Sequence, residues 1–308
     1  MTEHHKIDIE QNKPARIELL RAQRRFYGRA KMWQNLFSGL ALLLPALGIY
    51  FSTTSPEVRP FLGLGSIVIL LLEVEVISRL QRENSKRGAK VQEQFDTEVL
   101  GLEWNKLVAG SRVDPEDIRA ITTGSLSEAE RLRLLNWYEP PIATLPLSFG
   151  RLICQRTNLT YDSRVRTRYA NFLLCFAIFM AVGLIGFALW KKLPMDDAIL
   201  NLFLPALPLA AFVLREHRKQ RDTVESLTTL KSEVEKLWDK ATGGASSETL
   251  TTDSRALQDA IYRHRASNPL VYDWLYDLLR DRDEDLTRHA TEKLVAQAQA
   301  ALKTRETK

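Results

Sequence analysis

Four long stretches of this chain carry almost no charge, and they constrain its fold more than any motif does. They run from Asn35 to Phe51, from Val58 to Ile77, from Tyr169 to Trp190 and from Ala198 to Leu214. A helix rises about 1.5 Å per residue, so crossing about 30 Å of hydrocarbon takes roughly 20 apolar residues. All four stretches come near that length. The third is uncharged throughout and ends on Trp190, an aromatic of the kind that collects at membrane interfaces. Each run is therefore expected to be a transmembrane helix: TM1 at about 35–51, TM2 at about 58–77, TM3 at about 169–190 and TM4 at about 198–214. With 26% of its residues charged, the chain has an average hydropathy that belongs neither to its membrane part nor to its water-facing part.

Lysine and arginine set the expected orientation. Six basic residues from Arg16 to Lys31 precede the first run, and five from Arg79 to Lys90 follow the second. Five from Arg151 to Arg168 precede the third, and four from Arg215 to Arg221 follow the fourth. Only Arg59, Lys191 and Lys192 lie at the opposite ends. Basic flanks stay on the inner side, which predicts a multi-pass membrane protein with both termini and the central segment cytoplasmic. The outer connections, Ser52 to Glu57 and Lys191 to Asp197, are too short to build a pocket for an outside ligand. The net charge of +5 then reads as leaflet anchoring, and no DNA or RNA partner is expected.

The predicted fold class is all-α, a four-helix transmembrane bundle with cytoplasmic helical domains. Its domains are a basic amphipathic N-terminal helix at 1–33, a first hairpin at 34–77, a central helical domain at 78–168, a second hairpin at 169–214 and a helical region at 215–308. The N-terminal helix carries Leu19, Phe26, Ala30 and Trp33 at helical spacing, and it either lies on the inner leaflet or continues the first membrane helix. No cleaved signal peptide is expected, because no small-residue cleavage site follows the first run.

In the central segment, Asp114 and Pro115 with Glu116 and Asp117 form a helix start, and Ser127 with Glu130 forms a capping box. A helical continuation of TM2 is expected through Phe95. After TM4, Leu227, Leu230, Val234, Leu237 and Ala241 repeat at three-four spacing, and Gly243 to Glu248 is a break. Asn268 and Pro269 are expected to cap a helix carrying Leu270, Trp274, Leu275 and Leu278, and a separate last helix carries Leu286, Ala290 and Leu294.

Enzyme chemistry is hard to find. There is no Gly-rich phosphate loop, His-Glu-x-x-His pair or nucleophile elbow. His4, His5, His217, His264 and His289 are scattered without ligand spacing, and no catalytic residue, metal or cofactor is expected. Cys154 and Cys175 sit outside and inside an apolar run, too far apart in depth for a disulfide. Asp281, Asp283, Asp285 and Glu292 match four positions of a calcium loop, but Leu286 stands where its glycine turn belongs, which leaves a solvated acidic helix start. Asn158, Leu159 and Thr160 spell a glycosylation acceptor on the wrong side of the membrane.

Costly groups inside the runs are more informative. Glu73 and Glu75 interrupt the second run, and Pro45, Pro205 and Pro208 interrupt the first and fourth. Acids and freed carbonyls in hydrocarbon need protein or water as partners, so these five positions are candidates for a pore lining. Glu75 has Arg79 one turn on as an expected partner, whereas Glu73 has none. A carboxylate simply reaching the inner interface is at least as strong a reading for Glu73.

Several segments, taken together, resemble a known family. They are Glu93-Gln94-Phe95-Asp96, Leu102-Glu103-Trp104-Asn105, Val113-Asp114-Pro115, Asn136-Trp137-Tyr138, Leu145-Pro146-Leu147, Ile153 through Asn158 and Arg168-Tyr169-Ala170-Asn171. Leu20 to Arg24, Leu257-Gln258-Asp259, Arg263-His264-Arg265 and Asn268 to Trp274 extend the likeness over nearly the whole chain. The chain resembles the bacterial SMODS-associated four-transmembrane family, whose members are regarded as pore-forming effectors of cyclic-oligonucleotide (CBASS) antiphage systems. The resemblance implies a homo-oligomer in the lipid bilayer that permeabilises the inner membrane during phage infection. Its trigger would be a cyclic oligonucleotide made by a cGAS-like nucleotidyltransferase, and its outcome abortive infection.

No family motif fixes a ligand site. A dianionic ligand calls for arginines and a stacking aromatic, which makes Arg151, Arg156, Arg164 and Arg166 with Trp137 or Tyr138 the candidates. The plainer reading, which carries more weight, is that these arginines only anchor the third membrane helix. The alternative function is a non-conducting membrane scaffold that recruits a partner through its cytoplasmic helices.

Overall fold

The computed structural model describes residues 6–306, apart from some side chains of the apolar runs, among them those of Pro45, Glu73, Pro205 and Pro208, and a few near residue 280. The fold is all-α, with no strand among the described residues. Seven long helices dominate: α1 Pro14–Thr54, α2 Arg59–Leu72, α3 Ser78–Leu100, α4 Leu147–Trp190, α5 Leu204–Gly243, α6 Ser247–Ser267 and α7 Asp273–Glu306. They form two compact units. The first comprises Met1–Gly28, Asn84–Val165 and Val224–Lys308, and the second Arg29–Glu83 and Arg166–Thr223.

The second unit holds all four apolar runs, and many of its large apolar side chains face outward. Phe61, Phe179, Leu189 and Trp190 are each more than 70% exposed. Among the described residues, α4 is the one helix long and apolar enough to cross a membrane, and only 6% of its most apolar window is buried. A core helix of a water-soluble protein would be mostly buried, so this apolarity is not spent on an internal core.

The backbone stays helical around two of the prolines in the apolar runs. Helix α1 runs unbroken through Pro45. In the fourth run a π turn at Ile199–Phe203 leads directly into α5, where Pro205 is the second residue. A second π turn, Glu73–Ile77, joins α2 to α3. It also changes the ion pairing: Arg79 binds Glu83 at 3.0 Å, and not Glu75 as the four-residue spacing suggested, because a wide turn no longer stacks residues four apart.

The first unit has a conventional apolar core. Leu20 and Phe26 of α1, Phe95 and Leu100 of α3, Tyr138, Ile142, and Leu152 and Ile153 of α4 are all buried in one cluster. Burying each such aliphatic or phenylalanine side chain contributes about 1.5–3 kcal/mol. The three-four seam of α5 is core as well, with Leu227 and Val234 packed on Leu159 of α4 and on Leu257 and Ile261 of α6. Gly88 of α3 lies under the Tyr27 ring, and a Cβ there would stand 3.2 Å from it.

The helix starts expected at Asp114 and Ser127 are present, and a further one lies at Asn105. Asn105 caps Lys106–Ala109 by accepting from the Leu107 N–H, and the Ser127 hydroxyl accepts from the Glu130 N–H. Asp114 precedes Pro115–Ile121 in extended conformation, without a side-chain cap bond.

The C-terminal part differs from expectation. Residue 268 ends α6 instead of starting a helix, because a residue before proline is driven to extended ψ, here 147°. Leu270 therefore precedes the next helix, and the two helices expected beyond it are one, α7. The acidic calcium-like spacing falls inside this continuous helix, which excludes the loop a calcium site of that type needs.

Candidate functional site

Helix α3 brings two carboxylates to the interior of the first unit. Glu93, Asp96 and Leu100 lie at three-four spacing, so the acids fall on the buried side of the helix, along with Ala89, Val91, Phe95 and Val99 and the polar Ser85, Gln92 and Thr97. Both are fully buried. Burying a charge in an apolar interior is very costly unless it is paired and hydrogen-bonded, and helix α6 supplies the partners.

Arg255 donates to Glu93 at 2.6 Å, to Asp259 at 2.8 Å and to the Glu103 carbonyl at 2.8 Å. The Gln258 amide donates to Glu93 at 2.8 Å and to Asp96 at 3.2 Å. Arg265 reaches Asp96 at 2.5 Å. On the other side of Asp96, the Tyr138 hydroxyl donates at 2.6 Å and itself accepts from the Asn158 amide at 3.0 Å. Gln155 of α4 completes the connection by donating to the Ser254 carbonyl and to Gln258, and by accepting from the Ser254 hydroxyl. Asn105 donates to Asp259 at 2.8 Å.

Burial and charge shift the titrations within this network. Desolvation raises Glu93 from 4.5 to about 7, against hydrogen bonds from Arg255 and Gln258 that lower it. The Tyr138 hydroxyl is pushed well up by burial and by Asp96 beside it, and the buried Cys154 thiol rises for the same two reasons. Burial depresses Arg265, but Asp96 and Tyr138 more than offset it, and the guanidinium is held charged. Three carboxylates, Glu93, Asp96 and Asp259, thus meet two guanidiniums, Arg255 and Arg265.

This network has a clear relation to the segments on which the family resemblance rests. Those containing residues 93–96, 102–105, 136–138, 153–158, 257–259 and 263–265 each contribute at least one of its members. They lie far apart in sequence and converge on one buried site. The sequence carried one signal for it, the acid pair at helical spacing on α3.

The six residues proposed from sequence for ligand binding are distributed quite differently. Arg151 is buried and donates to the Leu100 and Gly101 carbonyls, both at 2.7 Å, and to the Thr251 hydroxyl at 2.7 Å. Desolvation lowers its pKa. Tyr138 is only 1% exposed, with its ring stacked on Phe95. Trp137 is partly buried and meets Phe95 edge to face. Arg156 and Arg164 are partly exposed. Arg166 belongs to the second unit, where it donates to Gln220 at 2.9 Å, and Gln220 in turn donates to Glu216 at 2.8 Å. Arg151 and Tyr138 thus serve as internal structural groups.

Of the intramembrane candidates, Glu75 is exposed, and the side chains of Glu73, Pro45, Pro205 and Pro208 lie outside the described ones. Both cysteines are free, Cys154 buried and Cys175 exposed. Among the described residues no cluster of His, Cys, Asp or Glu is suited to a metal, and His4 and His5 lie outside them.

An all-helical protein with one unit sealed around a polar network, and another that turns its apolar side chains outward, belongs to the class of membrane-associated helical proteins. The sequence profile of the SMODS-associating 4TM effector domain matches residues 5–294, and the chain belongs to that family. It is also similar to a probable CBASS effector molecule of Bacillus cereus (strain VD146), 26% identical over 287 residues, which cover 90% of this chain and 94% of the relative. No solved structure matches.

Proposed function

We propose that the chain is a CBASS effector of the bacterial inner membrane, crossing it four times with both termini inside. In this reading it assembles into a homo-oligomer and permeabilises the bilayer when a cyclic oligonucleotide is made during phage infection. The observation that carries the membrane part is the outward-facing apolar surface of the second unit, with Phe179 76% and Trp190 72% exposed. Water would penalise that surface at about 25 cal/mol per Å², whereas lipid does not. Family membership and the relative's printed name support the effector role.

The pore reading draws on Glu73, Glu75 and the two π turns, since wide turns and intramembrane acids are costly in a pure anchor. A homo-oligomer gives such groups protein or water instead of lipid. The test is dye release from vesicles carrying the purified protein, with and without a panel of cyclic oligonucleotides. Release on addition of one nucleotide, reduced by Glu73→Leu, is the expected result. Unchanged release in that variant removes Glu73 from the path. No release with any nucleotide, while the protein still sediments with the vesicles, favours the non-conducting scaffold.

A further inference from the structure

The first unit contains an open cleft of about 300 Å³ between the start of α1 and the segment from Arg119 to Leu135. That volume sits at the small end of ligand pockets, which run to about 1,000 Å³. Its lining holds three arginines, Arg21, Arg119 and Arg131, and one carboxylate, Glu18, while Glu130 and Glu128 stand 3.6 Å from Arg21 and Arg131 just outside it.

The three arginines are held very differently. Arg21 is only 6% exposed. It donates to the Thr122 carbonyl at 2.8 Å, to the Gly124 carbonyl at 3.2 Å and to the Ser125 carbonyl at 3.0 Å. Gly124 has φ +94°, a conformation that suits glycine and lets the chain turn around this guanidinium. The Nε of Arg21 is buried and makes no hydrogen bond, its nearest carboxylate being Glu130 at 3.6 Å. Arg21 is thus a fixed cation, anchored by three carbonyls and paired with Glu130 across 3.6 Å.

Arg119 and Arg131 are held loosely. Arg119 stands 3.9 Å from Glu18 with its side chain 79% exposed, and Arg131 stands 3.6 Å from Glu128 with its side chain 55% exposed. Neither distance is a hydrogen bond, so both forks remain free to close on a tetrahedral anion.

Two further features narrow the ligand. Ile17, Leu126 and Leu135 give the cleft an apolar wall, which a bare inorganic anion does not need. Glu18 already accepts from the Thr122 hydroxyl at 3.3 Å and stays partly exposed, so it repels a pure polyanion but accepts from an N–H or O–H donor. The start of the 41-residue α1, whose residues Pro14 and Ile17 line the cleft, adds the positive end of a helix dipole.

We infer that this cleft binds a small phosphate ester. Arg119 and Arg131 close on the phosphate above the fixed charge of Arg21, and Glu18 accepts a hydrogen bond from the ester's organic part. The size suits one nucleotide unit or a small phosphorylated metabolite. Identifying the ligand with the nucleotide signal rests on the function proposed above, whereas the binding site itself does not.

The test is titration calorimetry on the full chain in detergent with inorganic phosphate, glycerol 3-phosphate, AMP and cyclic di-AMP. At least one ester is expected to bind more tightly than inorganic phosphate. Arg119→Glu and Arg131→Glu are each expected to weaken it by about tenfold or more, as loss of a charge-assisted contact implies. Both positions are exposed, so unchanged thermal unfolding verifies that the variants are folded. Glu18→Gln is expected to reduce the preference for the ester over inorganic phosphate. Failure of every ester to bind, or binding indifferent to both arginine variants, overturns the site. Dye release run in parallel separates the two claims: nucleotide-triggered release that survives both variants sinks the cleft as the signal site and leaves the pore. Ester binding without release in the wild type does the reverse.

Discussion

Breaking the Asp96–Arg265 pair tests whether the buried network is held together by charge balance. Asp96 is fully buried and accepts from Arg265 at 2.5 Å, from the Tyr138 hydroxyl at 2.6 Å and from Gln258 at 3.2 Å. Asp96→Asn keeps an acceptor for Tyr138 but leaves Arg265 without its countercharge. Arg265→Met removes the cation, fills much of its volume and strands a carboxylate beside Glu93. Removing one partner of a buried pair costs about 3–5 kcal/mol, whereas replacing both by neutral groups of similar size is often close to neutral. For a unit of this size about 1 kcal/mol corresponds to roughly 2–4 °C, so each single variant is expected to lower Tm by about 6–20 °C. The double variant Asp96→Asn/Arg265→Met is expected to recover most of the loss. Differential scanning fluorimetry of the full chain in detergent, on all four proteins at one pH, gives the coupling directly. A double variant that loses the sum of the two single losses refutes the reasoning, because two independent contacts add and a charge pair does not.

Two other expectations follow from the same unit. Glu93 has its folded pKa raised from 4.5 to about 7, so the folded state holds a proton that the unfolded state releases, and stability falls as pH rises between those values. Tm of the wild type is expected to decline from about pH 5 to pH 8, by an amount worth at most about 3 kcal/mol, and Glu93→Gln to flatten that slope; a parallel decline in the variant assigns the titration elsewhere. Gly88→Val places a branched side chain where a Cβ alone already stands 3.2 Å from the Tyr27 ring, and is expected to cost about 1–3 kcal/mol in the same thermal assay, with Tyr27→Ala relieving the cost.

The sequence was most legible where a physical demand acts on neighbouring residues. An apolar run answers to lipid along its own length, and a cap answers to the N–H two or three residues on, so the helical class and the starts at Asp114 and Ser127 could be read locally. The same local rules failed where a single extra residue per turn intervened. The π turn at Glu73–Ile77 turned Arg79 to Glu83 instead of Glu75. Nothing along the chain announces such a turn in advance.

The buried network lay further out of reach, because its bonds join residues that are distant in sequence. Arg255 meets Glu93 across 162 residues, and Arg265 meets Asp96 across 169. From the sequence, Arg151 and Tyr138 looked like a charge and a ring available to a ligand. The fold instead uses one to tie three acceptors on α3, the turn after it and α6, and the other to satisfy Asp96. A buried arginine donating to carbonyls and an exposed arginine awaiting an anion are the same letter in the sequence, and only burial separates them. By that criterion Arg119 and Arg131, at 79% and 55% side-chain exposure, are among the accessible guanidiniums, and Arg151 is not. The proposed phosphate-ester cleft at the start of α1 draws on such exposed side chains, whereas Glu93, Asp96 and Arg265 satisfy one another inside the unit.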